Sequence, residues 1–137
     1  MFSIGALSRQ TGVKVPTIRY YEQIGLLPAA ERNGGNQRRY SQSGMDALGF
    51  IKHARDLGFS LDDIRGLMAL DGHLGADCAQ ANRMAASQLE NVRSRIERLK
   101  RLEAELERIA QLCDGDGGQC KVLTALGDHS QCGGDHD

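Results

Sequence analysis

Four cysteines stand among the 137 residues, and three of them are spaced so that they could serve a single chemistry. Cys78 and Cys113 lie thirty-five residues apart, and Cys120 follows seven residues later across Asp114-Gly115-Asp116-Gly117-Gly118-Gln119. Thiolates are soft ligands. Three of them can hold Cd(II), Hg(II) or Pb(II) as a trigonal site, or Zn(II) with a fourth ligand completing a tetrahedron. Three thiolates against a divalent ion leave one net negative charge, which a monovalent ion would accommodate worse. Each thiol must lose its proton to ligate, so binding releases protons and weakens in acid. In the tail, His129, Cys132 and His136 could add a fourth zinc ligand or an auxiliary site. The alternative there is a disordered terminus whose thiol scavenges metal incidentally. His73, just before Cys78, reads as a surface residue.

The element that must position these thiols is long. Met84, Leu89, Val92, Ile96, Leu99, Leu102, Leu106, Ile109 and Leu112 recur mostly in steps of three and four, which is the apolar seam of one helix. Charged residues from Arg93 to Arg108 fill the other faces, and no Pro or Gly interrupts the run after Gly75. At about 1.5 Å per residue, Cys78 and Cys113 would sit roughly 50 Å apart in a straight helix, too far to share an ion. Such a helix has no core of its own and needs a second helix along its seam. If that second helix is an antiparallel copy, Cys78 of one protomer falls beside Cys113 and Cys120 of the other. The expectation is a homodimer with two identical three-thiolate sites, one at each end of a coiled coil. The alternative is three unrelated buried thiols.

Composition narrows the setting. The formal net charge is −1, but residues 1–40 carry six Lys or Arg against two acids, and the remainder eleven against sixteen. The basic end is the candidate nucleic-acid surface. Neither a secretory h-region nor an apolar run of membrane-spanning length is visible, which predicts a cytoplasmic protein without a membrane partner. In that compartment cysteines read as metal-binding or redox groups before structural disulfides. No nucleophile–base pair and no phosphate-cradling Gly motif is present, so the chain does not read as an enzyme.

In chain order, Ser3 can cap a helix over residues 4–10, which Thr11-Gly12 breaks. A second helix begins near Val15-Pro16 and runs through Thr17-Ile18-Arg19-Tyr20-Tyr21-Glu22. Two short helices around a Gly-containing turn make a helix-turn-helix, whose second member enters the major groove; a structural helical hairpin is the alternative. A polar Gly-rich loop over residues 31–37 then closes on Arg38-Arg39-Tyr40, a ribbon suited to lying on the phosphate backbone. Residues 41–57 and 61–70 read as two further helices, with Ser60 and Asp63 as a capping pair. Arg55, near the end of the first, is either a phosphate contact or a salt-bridged surface residue.

The strings "IGALSRQTGVKVPTIRYYEQIGLL", "RRY" and "IKHARDLGFSLDDI" together resemble the winged-helix domain of the MerR family of bacterial transcription regulators, and the resemblance continues through the long helix to about Leu126. It implies a homodimer on double-stranded promoter DNA whose −35 and −10 elements are spaced too far apart for RNA polymerase. The effector-bound dimer kinks and untwists that spacer, an indirect readout whose cost depends on the sequence being bent. Carried over by position, Lys14, Thr17, Arg19 and Tyr20 fall on the recognition helix, and Arg38, Arg39 and Tyr40 on the first wing. Tyr21 is expected to pack beneath the helix.

Within that family, copper sensors place Ser where Cys78 stands, and iron–sulfur redox sensors carry a tight run of four cysteines that is missing after Leu112. Cys78, Cys113 and Cys120 resemble the divalent-metal branch, especially cadmium, zinc and lead sensors; mercury sensors have a longer loop between the last two. The expected architecture is mainly α: a winged helix-turn-helix DNA-binding head with hinge helices (1–75), a long antiparallel coiled-coil dimerisation helix (76–112), a short metal-binding loop with a terminal helix (113–126) and a flexible tail (127–137). The expected function is metal-responsive activation of efflux or detoxification genes. A thiol-based redox or electrophile sensor on the same scaffold is the alternative.

Overall fold

The computed structural model describes residues 1–32, 35, 38–70, 75–112 and 120–127. Helix α1 (Ile4–Thr11) starts where the Ser3 hydroxyl accepts the Ala6 N–H at 3.1 Å. It stops at Gly12, whose φ of 78° is the left-handed conformation that ends a helix without a Cβ penalty. Helix α2 (Val15–Gln23) follows, with Pro16 in its first turn, where a missing N–H costs nothing. Gly25, at φ 77°, turns the chain away from its end.

A two-stranded antiparallel hairpin comes next: β1 (Glu31–Arg32) faces β2 (Arg38–Arg39), with Glu31 opposite Arg39 and Arg32 opposite Arg38. It does not float free. Phe2 and Tyr40 exchange both backbone hydrogen bonds at 2.7 Å, tying the chain start to the second strand. Helices α3 (Gln42–Asp56) and α4 (Leu61–Met68) are capped by Ser41 and Ser60, whose hydroxyls accept from Gly44 N–H and Asp63 N–H.

The apolar faces of α1 to α4 converge on one core. Leu7, Ile18, Leu27, Leu48, Ile51 and Ile64 are its fully buried members, with Val13, Tyr21, Tyr40, Met45 and Phe59 around them. Burying each such side chain is worth about 1.5–3 kcal/mol, set against the entropy cost of ordering the chain.

Helix α5 (Ala76–Ala110) runs 35 residues, and α6 (Lys121–Gly127) is a short terminal helix. The chain forms two compact units, Met1–Met84 and Ala85–Asp137. The first therefore reaches past residue 75 and takes in the start of α5. The reason is visible at Met84, which packs half-buried against the head core. In the second unit the expected seam separates into two stripes. Leu89, Val92, Ile96, Leu99 and Leu106 are exposed, Leu99 at 61%. Leu102 and Leu112 are half-buried, and Ile109 is only 5% exposed. Exposed pairs such as Glu90–Arg93 at 2.9 Å decorate the polar faces and contribute little to stability.

Candidate functional site

Two sets of residues are candidates for function: thiols beside helix ends, and basic residues on α2 and the hairpin. Cys78 lies in the first turn of α5, where the Ala79 N–H reaches back to the Gly75 carbonyl at 2.9 Å. Cys120 immediately precedes α6, and its carbonyl accepts both the N–H and the hydroxyl of Thr124, at 3.1 and 3.2 Å. Both thiols are free and exposed. Cys113, Cys132, His73, His129 and His136 lie outside the described residues. Among the described residues, no three His, Cys, Asp or Glu side chains gather into a metal-holding group. Cys78 belongs to the first unit of the chain and Cys120 to the second.

The second set is the basic head. Along α2, Ile18 and Tyr21 point into the core while Arg19 and Tyr20 point out, Tyr20 at 48% exposure. Tyr21 packs beneath the helix, its ring centroid 6.2 Å from that of Tyr20. Lys14 is the exposed residue preceding α2, and Thr17 is half-buried. Arg19, Glu22, Gln23, Ala29, Ala30 and Arg32 line a groove of about 520 Å³ between α2 and β1. Glu22 fixes that spacing by accepting the Ala30 N–H on its carboxylate at 2.8 Å.

The hairpin corrects part of the expectation for residues 38–40. Arg38 and Arg39 are in β2, and Arg39 is half-exposed; the Arg38 side chain lies outside the described residues. Tyr40 is only 2% exposed. Its ring is in the core and has no surface to offer a phosphate, so it anchors the wing through Phe2 instead of touching DNA. Arg55 is exposed, and its guanidinium donates to the Phe59 carbonyl at 2.8 Å across the turn between α3 and α4. Sequence reasoning missed Arg32 and Glu22. Arg32 was legible only as one charge in a polar loop, and Glu22 only as part of a family string.

Two family models match the chain: the MerR HTH family regulatory protein model over residues 2–71 and the MerR DNA-binding model over residues 45–109. The chain belongs to the MerR family. Among curated relatives it is 36% identical to the mercuric resistance operon regulatory protein of Serratia marcescens, over 90% of this chain and 86% of that one. It is 34% identical to the transcriptional regulator ZntR of Escherichia coli, with 92% of each chain covered. Among solved structures it resembles the Ralstonia metallidurans regulator PbrR691 in complex with lead(II), with TM-score 0.73, 34% identity, and 92% and 99% of the two chains covered. It also resembles a MerR of Bacillus megaterium in complex with mercury(II), with TM-score 0.69, 31% identity, and 93% and 100% covered. As a MerR-family member the chain is a DNA-binding transcription regulator built on a helix-turn-helix and a long helix. Among the described residues no helix is long and apolar enough to cross a membrane.

Proposed function

We propose that this MerR-family regulator is a cytoplasmic homodimer that senses a soft divalent metal ion and activates an efflux or detoxification promoter. The reading rests on one observation: free thiols stand at the start of a 35-residue helix and beyond its end, and the apolar stripe between them is exposed. A second copy running antiparallel covers Leu89, Val92, Ile96, Leu99 and Leu106 and brings Cys78 of one protomer to Cys113 and Cys120 of the other. Cadmium, zinc, lead and mercury all suit such a donor set, and relatives named for mercury, zinc and lead support the assignment. The bound ion offsets two of the three thiolate charges and draws together groups that would otherwise repel.

On the DNA side, Lys14, Thr17, Arg19 and Tyr20 enter the major groove while Arg38 and Arg39, joined by Arg32, grip phosphate. The over-long promoter spacer is uncontacted. Its distortion by the metal-bound dimer realigns the two promoter elements for RNA polymerase.

Titrating reduced protein with Cd(II) should give thiolate-to-metal absorption that saturates at one ion per chain and weakens in acid. Cys120→Ser should keep operator binding and lose metal-driven transcription. Loss of operator affinity in that variant would make the thiol structural. Activation by oxidants that ignores metal would favour the thiol-based redox or electrophile sensor.

A further inference from the structure

We propose that Arg65 is a positioning residue that couples the thiol-bearing helix to the DNA-reading helix. The inference rests on the metal-responsive reading and names the side chain through which that response travels within one head. The Arg65 guanidinium donates through Nη2 to the Ile24 carbonyl at 2.9 Å, across 41 residues of sequence. Ile24 is the C-cap of α2. Carbonyls at a helix C-terminus lack intrahelical donors and carry the negative end of the dipole, so a cation is a fitting partner there. Arg65 also spans the turn beyond: a Cβ built on Gly25 would lie 3.9 Å from its Nη1.

The neighbouring residue faces the other way along the chain of contacts. A Cβ built on Gly66 would lie 3.7 Å from the Met84 Cε, so the methionine methyl sits over the bare glycine. Met84 is on α5, six residues after Cys78. Two consecutive residues of α4 therefore touch the end of the recognition helix and the beginning of the sensing helix.

Between these contacts α4 is an eight-residue capped rod whose Ile64 is fully buried in the head core. A shift of α5 at Met84 is passed to α4 through packing and leaves α4 through a directional hydrogen bond. Packing in the shared core also joins α4 to α2. The guanidinium adds a directional tie to the end of α2, and so to the pitch of Arg19 and Tyr20. Coupling of this kind requires a contiguous physical linkage, and the path here is short.

The test uses the full chain, Cd(II) as the metal and a DNA fragment carrying the protein's own promoter. Arg65→Ala should bind Cd(II) at wild-type stoichiometry and bind DNA without metal within about threefold of wild type, while metal-dependent activation falls on the order of fivefold or more. Because coupling is reciprocal, DNA should also lose its effect on Cd(II) affinity in this variant. Arg65→Lys, which keeps one donor, should restore part of the activation. If Arg65→Ala fails to fold in thermal melts, Arg65→Met keeps the apolar stem, loses the donor and carries the same expectation. Wild-type activation in the donor-less variant overturns the proposal, and so does an equal loss of DNA affinity with and without metal, which is what a purely structural bond would give. A wild-type protein that ignores Cd(II), Zn(II), Pb(II) and Hg(II) alike would instead sink the metal-responsive reading on which the coupling rests.

Discussion

The head and the part of α5 beyond Met84 spend their apolar residues in opposite ways. In Met1–Met84 the large aliphatic side chains close on one another, and Leu7, Ile18, Leu48, Ile51 and Ile64 see no solvent. In the second unit Leu89, Val92, Ile96, Leu99 and Leu106 line up on a helix face and remain exposed. An exposed apolar stripe of that length marks a surface meant for a partner. The head is complete as a single chain; the long helix is half of something. That difference fits the division of labour proposed above, in which the candidate DNA contacts sit on the part with its own core and the candidate metal ligands flank the exposed stripe.

Breaking the comparison means damaging one region and reading the other. Ile96→Asp places a charge in the exposed stripe, so dimerisation should fail in sedimentation, and operator affinity should fall about a hundredfold or more as two-site binding is lost. The head should keep its fold. Leu48→Ala is the counterpart: it should cost about 2–5 kcal/mol of stability by leaving a cavity, independent of protein concentration. If Ile96→Asp remains dimeric, the stripe is not the interface and the contrast between the regions fails.

A smaller effect sharpens the head's side of the contrast. Arg19→Ala removes an exposed guanidinium from the groove shared with Arg32, and should cost about 1–3 kcal/mol of operator affinity by anisotropy titration. Dimerisation and Cd(II) stoichiometry should be untouched. An unchanged affinity would remove Arg19 from the interface.

Much of this division was legible in the chain itself, for reasons of range. Helix starts at Ser3, Ser41 and Ser60 are written within four residues, because a cap hydroxyl reaches only the first turn. The stripe on α5 is a matter of period, which sequence displays directly. What sequence could not display is what long-range pairing decides. Arg39 and Tyr40 are adjacent and read as one basic, aromatic surface, yet strand alternation and the bridge to Phe2 send the tyrosine ring into the core. Arg65 bonds a carbonyl 41 residues away, a pairing that no local pattern displays. Met84 belonged to the seam by period, but the head core claims it first.

The central claim, that each metal site is assembled from two protomers, is tested most directly with a mixed dimer. One copy carries Cys78→Ser and the other, differently tagged, carries Cys120→Ser, and the heterodimer is purified through both tags. One of its two sites then keeps Cys78 from one chain with Cys113 and Cys120 from the other. The account predicts one tightly bound Cd(II) per heterodimer and none in either mutant homodimer. A heterodimer that binds none, or a mutant homodimer that binds like the wild type, would contradict it.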